Sequence, residues 1–265
     1  MKKHIIIGKP LSHSLSPEIH NYWFKENQIN GFYEKIELKK EEIEECIKKI
    51  KIKKIFGMNV TVPYKQLVIP YLETLSQTAE KTNSVNTVYF KNGQIYGDNT
   101  DVFGFEQSII KNKLNLKDKT AFIFGSGGVV PSIIVGLKNL RVKEINISNR
   151  TRQKAEIIQK NFNNINVVDW GEIKDCDLFI NCTSIGLKKD DKIKIDLKEF
   201  KDKKIFYDLI YNPPTTDFLF RAKSAGHKVV NGKDMFLYQA QKAFSLWHDI
   251  MPEIDEKLIN SLFND

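Results

Sequence analysis

Arginine is scarce in this chain. Only four occur in 265 residues (Arg141, Arg150, Arg152, Arg221), so 37 of the 41 basic side chains are lysine. Cysteine is scarcer still: Cys46, Cys176 and Cys182 are far apart and odd in number. That pattern fits neither a disulfide framework nor paired metal-ligand spacing, and it suits a reducing cytoplasm. No apolar run approaches the roughly 18 residues of a membrane span. The opening Met1-Lys2-Lys3-His4-Ile5-Ile6-Ile7 imitates the charged head of a secretory signal. Its apolar run stops at Gly8-Lys9-Pro10, too short for the hydrophobic region of such a signal. The histidines (His4, His13, His20, His227, His248) show no HExxH or other metal spacing, and no G-x-S-x-G elbow occurs. No metal is expected.

The net charge of +8 is the first feature that could point to a partner. It is a poor sign of nucleic-acid binding, because the lysines are interleaved with acids, as in Lys39-Lys40-Glu41-Glu42-Ile43-Glu44-Glu45. That reads as a solvated helix face. Arginine, suited to bidentate base and phosphate contacts, is rare, and no zinc-finger, RNP or heptad pattern is present. With 41% hydrophobic and 28% charged residues the chain is an ordinary globular one, which excludes disorder and collagen. Its length permits one large domain or two smaller ones.

Short β-rich runs alternate with helical stretches. Strands are expected at 4–7, 32–38 and 55–62. Helices are expected from Pro17 to about Asn27, over 40–51 and over about 101–113. Pro63 and Pro70 delay or kink any helix between them. Residues 86–97 read as a hairpin turning at Asn92-Gly93. The second half repeats the alternation, with strands at 120–125, 144–148, 166–168, 177–182, 204–210 and 228–230 and helices between them. Such units imply a parallel sheet covered on both faces. Two helices, about 234–249 and 252–263, close the chain. The lysine-rich stretch 111–119 is the natural boundary between halves.

Several stretches carry chemistry. Gly125-Ser126-Gly127-Gly128-Val129-Val130 lies between a strand and a helix, where glycines allow a pyrophosphate to approach a helix N-terminus. Its third glycine position is Val130, so alone it also fits a plain tight turn. In an NAD-binding unit the next strand ends near an acid that bonds the ribose 2′-hydroxyl. Here it ends Ser148-Asn149-Arg150-Thr151-Arg152, with Lys154 following. Cations oppose the dipole of a helix start and so need a reason to be there; a 2′-phosphate supplies one, favouring NADP over NAD. Ser14 precedes Ser16-Pro17, which reads as an N-cap serine followed by proline at the first helical position. Two hydroxyls beside a helix start also suit a small carboxylate. Asn59-Val60-Thr61-Val62-Pro63-Tyr64-Lys65 ends a strand, and strand C-termini are where open α/β sheets bind ligands. By helical spacing Gln239 and Gln241 cannot share a face, so at most one of them serves a given site.

In order and spacing these stretches resemble the shikimate dehydrogenase family across nearly the whole chain. The resemblance rests on Ser14-Leu15-Ser16-Pro17, Asn59 to Lys65, Val85-Asn86-Thr87, Asn99-Thr100-Asp101, Gly125-Ser126-Gly127-Gly128 and Asn149-Arg150-Thr151. It continues through Asn181-Cys182-Thr183-Ser184-Ile185-Gly186, Tyr207 to Pro213 and Gly232 to Ala240. It implies an α/β fold of two domains with the active site in an interdomain cleft. An N-terminal α/β substrate domain, 1–101, would be completed by C-terminal helices 239–265, and 102–238 would be a Rossmann-like NADP-binding domain with a parallel sheet. The implied reaction is reversible NADPH-dependent reduction of 3-dehydroshikimate to shikimate. Ser14, Ser16, Thr61, Asn86, Asp101, Tyr211 and Gln239 would hold the substrate. Lys65 would be catalytic and oriented by Asp101. Gly125, Ser126, Gly127, Gly128, Val129, Val130, Asn149, Arg150, Thr151, Arg152, Lys154, Leu209 and Gly232 would line the cofactor.

The residue types suit those roles. Hydride addition to a ketone puts negative charge on oxygen, and an ammonium can stabilise or protonate it. An adjacent carboxylate favours charged lysine, whereas burial opposes it. Where relatives carry small alanines this chain has Val129-Val130-Pro131, and Val130 would tighten the pyrophosphate approach. The nearest alternative is a quinate/shikimate dehydrogenase of broader substrate or cofactor range, against which the Arg150/Arg152 pair argues. A regulatory protein on the same scaffold would lack the Lys65/Asp101 pair. Family members occur as monomers and homodimers.

Overall fold

A computed structural model of the chain describes residues 1–188, 191–197 and 200–263. It divides into two compact units, Met1–Gly104 with Leu237–Asp265, and Phe105–Phe236. Residues 264 and 265, the end of the expected C-terminal piece, lie outside the described residues. No helix among the described residues is long and apolar enough to cross a membrane.

The first unit holds a six-stranded mixed sheet. Its strands are β1 (Lys2–Ile7), β2 (Gly31–Ile36), β3 (Gly57–Val60), β4 (Thr74–Leu75), β5 (Thr87–Lys91) and β6 (Gln94–Asp98), in the order β2-β1-β3-β5-β6-β4. β1 pairs in parallel with β2 and β3, whereas β5 runs antiparallel to β3 and β6. Alternation along β1 divides its side chains between two environments. Ile5 and Ile7 enter an apolar cluster with Ile43, Ile47 and Ile50 of α2 (Ile43–Lys51). His4 enters an aromatic group with Phe24 of α1 (Ser16–Glu26) and Trp247 of α8 (Lys233–His248). The β5–β6 hairpin turns at Asn92 and Gly93, with φ of 51° and 82°, the pair of left-handed residues that a two-residue turn matching strand twist requires. The proline-rich segment resolves into a 3₁₀ turn at Ile69–Tyr71 and a late helix, α3 (Gln77–Thr82), capped by the Ser76 hydroxyl. The two-residue β4 was not expected from sequence; it is too short to show a period.

The second unit begins within α4 (Asp101–Lys111) and holds six parallel strands: β7 (Thr120–Phe124), β8 (Glu144–Ser148), β9 (Ile165–Val168), β10 (Leu178–Asn181), β11 (Ile205–Asp208) and β12 (Lys228–Val230). Their order is β12-β11-β10-β7-β8-β9. That is the doubly wound arrangement, and the order reverses between β7 and β10. α5 (Val130–Asn139), α6 (Arg152–Asn161) and α7 (Asp217–Ser224) follow β7, β8 and β11. α9 (Glu256–Phe263) ends the described chain.

Two expectations need correction. Helices do not occupy every interval of the second half. The β9–β10 connection has none, and the described residues between β10 and β11 form no α-helix, only a 3₁₀ position at Leu197. The first is short, polar and turned by Gly171 at φ 100°. In the second, Ile193 and Ile195 are buried as non-helical chain in the phenylalanine-rich cluster of Phe122, Phe179 and Phe206. The second correction concerns Ser16, which is the first helical residue, with Leu15 at the cap and no side-chain cap bond. Ser14 Oγ instead accepts the Ser16 N–H at 3.3 Å and donates to Ser16 Oγ at 3.1 Å. The helix start is thus satisfied from two residues upstream.

Candidate active site

In the first unit, β3 ends at Val60 and the turn beyond it carries Thr61 and Lys65. The Thr61 N–H donates to the Ile7 carbonyl and the Tyr64 N–H to the Thr61 carbonyl, each at 2.9 Å, so the turn is closed by its own backbone. Lys65 Nζ donates to Asp101 Oδ2 at 2.5 Å, and both side chains are only 9% exposed. Asp101 opens α4, where a carboxylate complements the helix dipole. Its other oxygen accepts Asn86 Nδ2 at 2.9 Å. Asn86 Nδ2 also donates to Thr100 Oγ1 at 3.0 Å, while Asn86 Oδ1 accepts the Thr100 N–H at 2.8 Å. Lys65, Asp101 and Asn86 therefore form one buried group. A buried ion pair persists only where its remaining hydrogen-bonding capacity is met, which the Asn86 amide does for Asp101.

Ser14 and Ser16 form a second group at the start of α1. Gln239 lies half-buried on α8, in the portion belonging to the first unit. Its neighbour Gln241 donates to the Pro252 carbonyl at 2.7 Å and so ties down the chain beyond α8. Two residues away along the helix, Gln239 stands on a different face from Gln241.

In the second unit the glycine turn follows β7, at the reversal of strand order. Gly125 has φ 105°, and a Cβ there would meet Cys182 backbone and the Thr183 side chain. A Cβ on Gly127 would meet nothing within 4 Å. α5 begins behind this turn with no side-chain cap. The Val130 side chain is buried in the apolar cluster with Ile133, Ile147 and Phe105, and its N–H donates to the Gly127 carbonyl at 3.0 Å. Val130 therefore does not narrow the turn; the helix rotates its side chain into the core.

The arginine pair divides. Arg152 is held by Glu156 at 2.9 Å and, in a second ion pair, by Asp169. Arg150 is exposed and carries no ion pair among the described residues. Sequence gives no sign of Asp169, because it follows β9 and only sheet order brings it to Arg152. Asn149 Nδ2 donates to the Thr151 carbonyl at 2.8 Å, shaping the bend before α6; Thr151 and Lys154 are exposed. Leu209 and Gly232 touch so closely that a Cβ on Gly232 would lie 2.0 Å from the Leu209 carbonyl oxygen. Tyr211 stacks on Phe236 at 4.7 Å.

Two positions to which sequence assigned no role support these loops. Asp208, fully buried at the end of β11, accepts from the Thr216 hydroxyl at 2.6 Å and from the Ile210 N–H and Asn181 Nδ2 at 3.0 Å. Burial raises its pKa to about 6 against the pull of those donors. Asn181 Oδ1 accepts the Thr183 N–H and hydroxyl, so one pair pins the loops after β10 and β11.

A doubly wound parallel unit with an open glycine turn at its switch point, joined in one chain to a mixed α/β unit with a buried lysine–carboxylate pair, defines a two-domain α/β protein of the dinucleotide-binding class. Comparison with known proteins gives the family. Residues 6–88 match the shikimate dehydrogenase substrate binding domain, and residues 108–215 match the shikimate / quinate 5-dehydrogenase family. The chain belongs to the shikimate dehydrogenase family. It is 51% identical over 261 residues to a shikimate dehydrogenase (NADP(+)) of Pelagibacter ubique, covering 98% of both chains. The crystal structure of shikimate dehydrogenase from Aquifex aeolicus matches with a TM-score of 0.90 at 32% identity, covering 100% of this chain and 98% of that one. Shikimate 5-dehydrogenase from Thermus thermophilus, in complex with NADP(H) and shikimate, matches at 0.88 and 29%, covering 99% and 98%.

Proposed function

We propose that this chain catalyses the reversible NADPH-dependent reduction of 3-dehydroshikimate to shikimate, a step toward chorismate and the aromatic amino acids. The observation that carries the reading is the buried Lys65–Asp101 pair, braced by Asn86, in a chain that matches the family over both of its units. Lys65 supplies the donor that a ketone oxygen needs as it gains negative charge, and can pass it a proton. Asp101 fixes the ammonium, and Asn86 fixes Asp101. Ser14 and Ser16, with the start of α1, suit the substrate carboxylate. Thr61 and Gln239 offer hydroxyl and amide groups to the ring hydroxyls, each bonding in a set direction.

The second unit fits the dinucleotide. Open space at Gly127 and the uncapped start of α5 suit a pyrophosphate approached by Ser126, Gly127, Gly128 and Val129. Arg150, with Asn149, Thr151, Arg152 and Lys154, suits a 2′-phosphate, and Leu209 and Gly232 line the remainder. When bound, NADPH supplies the hydride. The three unpaired thiols suit a reducing cytoplasm.

The test is NADP-dependent oxidation of shikimate followed by nicotinamide absorbance, run beside quinate and beside NAD. Shikimate with NADP is the expected preference; a preference for quinate with NAD would overturn the reading.

A further inference from the structure

Tyr33 sits in the middle of β2 and is 3% exposed. Its backbone is clamped to α1 from both sides: Asn21 Nδ2 donates to the Tyr33 carbonyl at 3.0 Å, and Asn21 Oδ1 accepts the Tyr33 N–H at 2.8 Å. Its ring stacks on His20 at 4.5 Å and 12°. Asn21 and His20 belong to the helix that begins at Ser16. The placement of the Ser14/Ser16 group is thereby tied to Tyr33.

The other end of Tyr33 leads toward the ion pair. Its hydroxyl donates to Asn59 Oδ1 at 2.7 Å. Asn59 Nδ2 donates to Thr87 Oγ1 at 3.1 Å and to the Asn86 carbonyl at 3.0 Å. The Thr87 hydroxyl donates to Asn86 Oδ1 at 3.0 Å, and Asn86 Nδ2 donates to Asp101 Oδ1 at 2.9 Å. Every donor in this buried series points the same way, from Tyr33 toward the carboxylate. Such a chain polarises along its length and strengthens its last bond. Burial holds the phenol pKa well above its usual value, with a Ser16 hydrogen bond opposing, so the hydroxyl stays a donor to Asn59 at neutral pH. A phenylalanine would fill the same space without the cost of burying a hydroxyl.

We propose that Tyr33 is a positioning residue for the reaction, coupling the serine-bearing start of α1 to the Lys65–Asp101 pair through Asn59, Thr87 and Asn86. The proposal rests on the function proposed above for this site. Tyr33→Phe leaves Asn59 Oδ1 without its donor and breaks the series at its origin.

The experiment is steady-state kinetics of Tyr33→Phe with shikimate and NADP, well below its thermal midpoint. We expect kcat to fall about tenfold and the KM for shikimate to rise about threefold, with the KM for NADP changing less than about twofold. A purely structural role would lower the thermal midpoint and leave all three constants unchanged, which overturns the proposal. Should Tyr33→Phe fail to fold, Thr87→Val against Thr87→Ser reads the same series: Val should lose turnover and Ser should restore most of it, and equal turnover of the two overturns it. A substrate-free readout separates this proposal from the functional one. Tyr33→Phe and Thr87→Val should lower the thermal midpoint by less together than the sum of their separate effects. Additive losses would dissolve the relay even in an active enzyme, whereas coupling in a parent that does not oxidise shikimate would sink the functional reading alone.

Discussion

Lys65 and Asp101, 36 positions apart in sequence, meet at 2.5 Å in the first unit. Asp101 keeps its second oxygen for the Asn86 amide. The ammonium is thus held by a carboxylate that is itself held. Removing Lys65 should therefore remove a transition-state donor, and it leaves the Asp101 carboxylate held by the Asn86 amide. Lys65→Ala is expected to lower kcat by about 10²- to 10⁴-fold while the KM for shikimate changes little. A variant with near-normal turnover would take Lys65 out of the mechanism.

Asp101→Ala should behave differently, because it strands a buried ammonium. Breaking a buried pair from one side typically costs about 3–5 kcal/mol. We expect a lower denaturation midpoint together with lost turnover, and a larger midpoint loss than in Lys65→Ala. Chemical denaturation of the two variants side by side checks the order.

Arg150 and Arg152 should contribute unequally to cofactor choice. Arg152 already satisfies Glu156 and Asp169, whereas Arg150 has no ion pair among the described residues. Loss of a hydrogen bond to a charged group costs about 1.5–3 kcal/mol, so Arg150→Ala should raise the KM for NADP by about 10- to 100-fold. The KM for NAD should stay nearly constant. An equal or larger effect from Arg152→Ala would reverse the assignment.

Acid should unfold the first unit through its histidines. Burial, with the neighbouring His248, lowers the pKa of His4 to about 3. Burial also drives His20 well below its usual value and His248 to about 4. These rings stay neutral in the folded chain while the unfolded chain takes up protons below about pH 6.5. Stability is therefore complete above that pH and falls as pH drops toward the folded values, by at most about 1.4 kcal/mol per pH unit for each fully coupled ring. The partly exposed His248 contributes less. Thermal midpoints measured from pH 7.5 downward should show the decline, and His4→Phe should flatten it.

Asp208 has the opposite sign. Its folded pKa of about 6 lies above the ordinary 3.8, so its share of stability is present below about pH 3.8 and is lost as pH rises through 6. The loss is about 3 kcal/mol above pH 7. Asp208→Asn retains acceptors for Ile210 and Asn181 and removes the charge. Its thermal midpoint should exceed that of the parent at pH 8, with the advantage gone near pH 4. A variant destabilised equally at both values would contradict this.

The sequence by itself determined the features that the local backbone controls. The strand and helix alternation, the Asn92-Gly93 turn and the glycine turn after β7 follow from period and from left-handed φ, which a few adjacent residues fix. The ordered stretches around Lys65, Asp101 and Gly125 were legible for the same reason, and with them the family. Tertiary structure decided which side chains meet. Asp169 reaches Arg152 and Asn59 links Tyr33 to Asn86 because strand order brings distant segments side by side. Val130 turns into the core because α5 starts there and sets its rotation. Between β10 and β11, Ile193 and Ile195 are non-helical and bury themselves against phenylalanines. Each outcome depends on contacts between residues far apart in sequence, and these exist only once the sheets are assembled.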